Sequence, residues 1–154
     1  MTEPPNSANP IKVRAIVDSN VLIALVSPTD SLHRAAHALV ASALNSEIEL
    51  LYLDCVVAES LSTVGRRLEE KKRMPEFGAA ADALMALAPM HSLVWLFPEV
   101  RRLHDPVIAL MRQTTGQLNF NDALIVVACR ELGITTLLSF DADFDSIADL
   151  TRLK

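Results

Sequence analysis

Four short runs rich in Val, Ile, Leu, Thr or aromatic residues, Val13–Val17, Ile48–Leu53, Leu93–Phe97 and Thr135–Phe140, are spaced along the chain with long helical stretches between them. This alternation constrains the fold more than any other feature. Strands joined through helices pair in parallel, and each helix must bury its apolar face on the sheet. The helical stretches carry their own start and stop signals. Ser31–Leu44 follows Pro28-Thr29-Asp30-Ser31, Phe77–Leu87 follows Pro75, and Val100–Gln113 follows Pro98. Val56–Arg73 starts apolar and ends basic, as the helix dipole favours, and Phe120–Leu132 stops at Gly133, a good C-cap. The order strand, helix, strand, helices, strand, helices, strand predicts an α/β sandwich with a mainly parallel sheet.

A chain of 154 residues suits one domain, here residues 11–154. The first ten residues, MTEPPNSANP, are polar and proline-rich and read as a flexible tail over 1–10. They lack the apolar segment of a signal peptide, and no run approaches the roughly 18 apolar residues of a membrane span. A cytoplasmic protein with no membrane contact is expected. Cys55 and Cys129 both sit in apolar surroundings and read as buried thiols of a reducing compartment. With four glycines and neither a GxGxxG nor a Walker A motif, a dinucleotide site or a P-loop is excluded. The formal net charge of −5 disfavours non-specific binding to nucleic acid, so a nucleic-acid partner requires a separate source of positive charge. A metal ion would supply one.

Open parallel sheets place ligands beyond the carboxyl ends of their strands. Asp18 follows the first strand, and Asp54 follows the second with Glu59 five residues on; Asp141, Asp143 and Asp145 follow the last. Asp122 opens the helix leading into that last strand. Each has a local explanation. Asp18, Ser19 or Asn20 caps a helix, Asn119 is an N-cap that puts Asp122 at the third helical position, and Asp141 or Asp143 caps a short final helix. Glu59 lies in the apolar first turns of a helix, where it is either a buried charge that needs a partner or a surface position beside the polar Ser60, Ser62 and Thr63. Together, Asp18, Glu59, Asp122 and Asp141 fall where a parallel sheet gathers residues at one edge. Carboxylates gathered without Lys or Arg repel one another unless a divalent cation lies between them, and hard oxygen donors select Mg²⁺ or Mn²⁺. Such ions assist phosphodiester hydrolysis.

These residues resemble the PIN-domain proteins, most closely the small VapC-type toxin ribonucleases of prokaryotic toxin–antitoxin pairs. The resemblance runs from about Val13 to Leu153. It is carried by IVDSNVLIAL, LYLDCVVAESLSTV, LNFNDALIVVACRELG and LLSFDADFD, with HRAA after Asp30-Ser31-Leu32 resembling the family's first long helix. Each block is weak alone; the four in order are specific. The resemblance implies a three-layer α/β/α fold, an acidic site for Mg²⁺ or Mn²⁺, endonucleolytic cleavage of RNA, a homodimer and a cognate antitoxin. It implies that Asp18 and Asp122 ligate the metal directly, Glu59 directly or through water, and Asp141 through water. Asn20 matches a small polar position that bonds the first Asp, and Asp143 is a secondary candidate. The chain departs from the pattern in having Ser139 where threonine is common, and in its proline-rich start. A PIN-type RNA-processing nuclease with no toxin role, and an inactive PIN-like protein-binding module, are alternatives.

Other features are less specific. Arg66-Arg67-Leu68-Glu69-Glu70-Lys71-Lys72-Arg73 sets five cations against two anions. It reads either as a solvated helix end, with pairs such as Glu69 and Arg73, or as an RNA-backbone contact through Arg66, Arg67, Lys71, Lys72 and Arg73. Arg101-Arg102 is a weaker version. His33 and His37 share a helix face at zinc-binding spacing but have no third ligand in the motif, so a surface pair is expected. The apolar helix Ala79–Leu87 packs either into the core or against a dimer or antitoxin partner.

Overall fold

The computed structural model describes residues 12–154; the expected tail at 1–10 lies outside them. The elements run β1 (Arg14–Val17), α1 (Ser19–Val26), α2 (His33–Asn45), β2 (Glu49–Leu53), α3 (Asp54–Glu70), α4 (Phe77–Leu87), β3 (Leu93–Val94), α5 (Val100–Gln113), α6 (Phe120–Leu132), β4 (Thr136–Leu138) and β5 (Thr151–Leu153). The strands form one sheet in the order β3-β2-β1-β4-β5, every neighbouring pair parallel. From β1 the chain moves outward through β2 to β3, then returns past β1 to β4 and β5. Right-handed crossovers in opposite directions place their helices on opposite faces. Accordingly α1, α2, α3 and α4 pack among themselves, and α5 packs against α6. The result is the three-layer α/β/α sandwich.

Burial explains the sheet and the helix that backs it. Ile16, Leu53, Leu137 and Leu138 are fully buried, as both faces of a parallel sheet require. In α6 every residue from Ala123 to Cys129 is buried, so the helix is apolar all round and lies inside the protein. Gly133 ends it in the left-handed region at φ 64°, where a Cβ is disfavoured. Both cysteines are free and buried, and burial pushes their thiols up to about 12. Among the described residues no helix is long and apolar enough to cross a membrane.

Several elements differ from expectation. Ser19–Val26 is a full helix, where the sequence suggests only a cap. Val21–Leu25 are all buried, so no polar face marks the helical period. The strand expected over Leu93–Phe97 stops at Val94. Asp54 is the cause: buried at the start of α3, its carboxylate accepts hydrogen bonds from the backbone N–H groups of Leu96 (2.8 Å) and Phe97 (3.0 Å), and of its own neighbour Cys55 (2.8 Å). Those N–H groups are thereby withdrawn from the sheet, and Trp95 and Phe97 turn outward, 54% and 57% exposed. The last strand, expected over Thr135–Phe140, keeps only Thr136–Leu138, and a fifth strand at Thr151–Leu153 covers that edge. Helix α3 ends at Glu70, short of Arg73, and Lys72 adopts a left-handed φ of 57°.

Asp54 thus joins the start of α3 to the segment after β3. Truncation to Ala should strand the buried Leu96 N–H and loosen the partly buried Phe97 N–H, at a cost of about 2 kcal/mol. Urea unfolding of Asp54→Ala measures this directly, and a cost below about 1 kcal/mol would deny the clamp its structural weight.

Candidate functional site

The strand order reverses between β1 and β4, so the switch point lies at their carboxyl ends. Val17 and Leu138 are paired there, and the next residues on the two strands are Asp18 and Ser139. The N–H of Asp18 donates to the Leu138 carbonyl at 2.9 Å, fixing the seam. Asp18 is only 3% exposed. It does cap α1, through a bond from the Ser19 N–H to its Oδ1 at 2.7 Å. Its Oδ2 accepts from the Asn20 amide at 2.7 Å and the Ser139 hydroxyl at 2.6 Å. Asn20 also bonds the Ser139 hydroxyl at 3.2 Å and accepts from the Phe140 N–H at 3.1 Å.

Ser139 carries the connection onward. Its hydroxyl accepts from the N–H of Asp141 at 3.0 Å while donating to Asp18. Asp141 then caps the 3-10 turn Ala142–Ser146 by accepting from the Asp143 N–H at 2.9 Å. Ser139 was visible in the sequence only as a replacement for threonine; its buried hydroxyl is the link between two of the four acids. Asp143 faces outward enough to accept from the Gln117 amide at 3.1 Å.

The other two acids come from helices. Glu59 is half-buried in the second turn of α3. Asp122 sits in the first turn of α6 in a capping box: Asn119 Oδ1 accepts from the Asp122 N–H at 3.0 Å, and Asp122 Oδ2 accepts from the Asn119 N–H at 3.3 Å. So the cap anticipated for Asp122 is present. The capping does not settle its ionisation. Burial, against the pull of the Asn119 bond and helped by Asp18, Asp141 and Asp143, pushes Asp122 up to about 6. Burial also pushes Asp18 up to about 6; the Ser139 and Ser19 bonds oppose this, and Glu59 and Asp141 add to it. Glu59 is raised by burial and by Asp122, against the nearby Ser19 hydroxyl. Among the described residues none of the four is in a salt bridge. The acids therefore share one electrostatic field with no cation bonded to any of them among the described residues; Arg152 acts on Asp141 from a distance. They do not form a closed cage: among the described residues no three His, Cys, Asp or Glu side chains are gathered as a group that could hold a metal ion. The donor chemistry still fits Mg²⁺ or Mn²⁺, because all are hard carboxylate oxygens and Mg²⁺ commonly takes only one or two with waters completing its shell.

The cationic run divides. Arg67 is paired with Asp30 at 2.7 Å, on the wall of a cavity of about 500 Å³ between the α1–α2 link, α3 and α4. Arg73 is paired with Glu76 rather than with Glu69. Arg66, Lys71 and Lys72 are exposed and have no ion pair among the described residues. Arg102 is held by Glu99 and Glu131. His33 bonds the Ala24 carbonyl through Nδ1 at 2.7 Å and meets His37 edge-on, so this pair serves packing.

A family model described as the PIN domain matches residues 15–150. Two solved structures have the same fold. One is the Mycobacterium tuberculosis toxin VapC20, described as cleaving the sarcin-ricin loop, at 21% identity and TM-score 0.66, covering 87% of this chain and 95% of that one. The other is VapBC2 from Rickettsia felis bound to a DNA fragment from their promoter, at 11% identity and TM-score 0.65, covering 91% of this chain and 97% of that one. No curated protein matches the chain significantly.

The raised acids make stability depend on pH in a defined direction. Asp18 ionises near 3.8 when unfolded and at about 6 when folded, so its contribution is complete below the lower value and lost as pH rises through the upper. In metal-free buffer, lowering the pH from about 8 to about 5 should stabilise the fold by about 1.4 kcal/mol from Asp18 alone, with Asp122 and Glu59 acting in the same direction. Asp30 is lowered, against burial, by the Leu32 N–H and then Arg67, and Asp145 and Asp149 are lowered by their Arg partners; these three weaken the fold only in stronger acid. Urea unfolding in EDTA across this range checks the sign; stability that is flat or falls toward pH 5 contradicts it.

Proposed function

We propose, given that the chain belongs to the PIN-domain family, that it is a divalent-cation-dependent endoribonuclease and the toxin of a toxin–antitoxin pair. One observation carries this reading. Asp18 is buried at the switch point, held by three donors, within the field of Glu59 and Asp141, and without a cationic partner. Such a group is costly to ionise unless a cation is brought to it. The likeness to a toxin described as cleaving the sarcin-ricin loop supports the substrate class.

In this reading Asp18 and Asp122 ligate Mg²⁺ or Mn²⁺, Glu59 does so directly or through water, and Asp141 acts through water, with Asp143 in reserve. When bound, such a cation neutralises phosphodiester charge and makes nearby water more acidic. The chain's own residues do the rest. Asn20 and Ser139 hold Asp18 in one orientation. Glu59, raised by burial and so a better base, orients the attacking water and takes its proton as the water oxygen bonds phosphorus; the P–O bond to the leaving nucleotide breaks, and its oxygen departs with the bonding pair and takes a proton from solvent. With a net charge of −5, the chain needs cations for the RNA backbone, and within the run Arg66 to Arg73 the ones without an ion pair among the described residues are Arg66, Lys71 and Lys72. Arg66 lies seven residues beyond Glu59, two helical turns or about 10 Å along the same face of α3. The antitoxin, the homodimer and a cytoplasmic location belong to the same reading and rest on the resemblance to VapC-type toxins.

A second reading is an inactive module acting through protein contacts: among the described residues no three metal-ligating side chains are gathered as a group. RNA cleavage separates the two. The wild-type chain should cut RNA with Mg²⁺ or Mn²⁺ and not in EDTA, and Asp18→Asn or Asp122→Asn should lower the rate by about 100-fold or more while remaining folded. Cleavage that survives EDTA or either substitution overturns the assignment. Arg66→Glu should raise KM by about tenfold, leave kcat unchanged and flatten the salt dependence of binding; an unchanged KM removes Arg66 from the RNA path.

A further inference from the structure

The guanidinium of Arg152 is out of solvent at the edge of the sheet. Its side chain is only 3% exposed, against 45% for Arg130 in a comparable pair with Asp149. Nε and Nη2 donate to the two carboxylate oxygens of Asp145 at 2.8 and 2.6 Å, and Nη1 donates to the Ser139 carbonyl at 3.1 Å. The neighbouring Leu153 carbonyl accepts from the Ser139 N–H at 3.1 Å. Strand β5 therefore holds both backbone polar groups of Ser139. With its backbone fixed at both ends, Ser139 has only its hydroxyl to place, and that hydroxyl bridges Asp18 Oδ2 and the Asp141 N–H. Asp145 lies in the 3-10 turn that Asp141 caps, so the same guanidinium also ties that turn to β5. A planar fork bonded at three points fixes direction as well as charge, which an ammonium would not.

We propose that Arg152 is a positioning residue for the acidic site, acting through the Ser139 backbone to set the orientation of Asp18 and Asp141. This rests on the functional reading above. A pair that served only stability would behave as Arg130–Asp149 does, whose partners, bonded at 2.8 and 2.9 Å, touch nothing in the site.

The test compares Arg152→Met and Arg152→Lys with Arg130→Met in the full chain, following urea stability, Mn²⁺ affinity by calorimetry, and kcat and KM on RNA. Arg152→Met should weaken Mn²⁺ binding about tenfold and lower kcat by about 10- to 100-fold, with KM changed less than about twofold. Arg152→Lys should recover part of both losses, and Arg130→Met should lower stability alone. If Arg152→Met does not fold, Asp145→Asn, which keeps the guanidinium but frees it from its anchor, should move Mn²⁺ affinity and kcat the same way by a smaller factor. Wild-type Mn²⁺ affinity and kcat in the folded Arg152 variants, or in Asp145→Asn, overturn the proposal and leave the nuclease reading intact. A wild-type chain that binds no Mn²⁺ overturns the nuclease reading and the proposal with it.

Discussion

The 2.6 Å hydrogen bond from the Ser139 hydroxyl to Asp18 joins the two strands at which the sheet reverses direction. Without it the loops after β1 and β4 are held in register by the Asp18 N–H bond to the Leu138 carbonyl and by Asn20, through its bonds to Asp18 and the Phe140 N–H. The hydroxyl is buried, both its donor and acceptor roles are used, and both partners belong to acidic loops. A polar contact in that position sets geometry more than it adds stability, because its net worth is about 1 kcal/mol while the cost of leaving the buried carboxylate unpaired is larger. The two acids that come from strand ends are positioned through this seam: α1 starts from Asp18, the 3-10 turn starts from Asp141, and β5 grips Ser139 from the far side.

Around this seam the chain has accepted an electrostatic cost. Asp18, Glu59 and Asp122 are all raised from their ordinary values, with burial the first cause in each case. Elsewhere the chain pairs its acids readily, as at Asp30 with Arg67, Asp145 with Arg152 and Asp149 with Arg130. The contrast is selective. Among the described residues no cation forms an ion pair with any of the four acids, and Arg152, which acts on Asp141 from a distance, is itself bonded to Asp145. Strain of this kind is concentrated at functional sites and is relieved by what the site binds.

Much of this was legible in the sequence. The four acids stand at strand ends or helix starts, so the parallel topology alone brings their segments to one edge. Asp18 and Asp54 show where that reasoning stops. Each is the first residue after an apolar strand and each begins a helix, so the sequence offers no distinction between them. Their neighbours distinguish them: Asp54 is saturated by the N–H groups of Leu96 and Phe97 and serves the fold, while Asp18 faces other acids. Helix α1 was hidden because its residues are buried on every side, and β5 because three residues carry too little pattern. The roles of Ser139 and Arg152 depend on bonds spanning 121 and 13 residues, which no local motif encodes.

The central claim is that these raised acids are a cation site in waiting. Divalent binding to them must displace their protons, so the most direct measurement is Mn²⁺ calorimetry in buffers of different ionisation enthalpy. With Asp18 and Asp122 both half-protonated at about 6, binding at pH 6 should release about one proton in total, falling toward zero near pH 8. Mn²⁺ that binds at pH 6 without releasing protons, or that does not bind at all, contradicts the account.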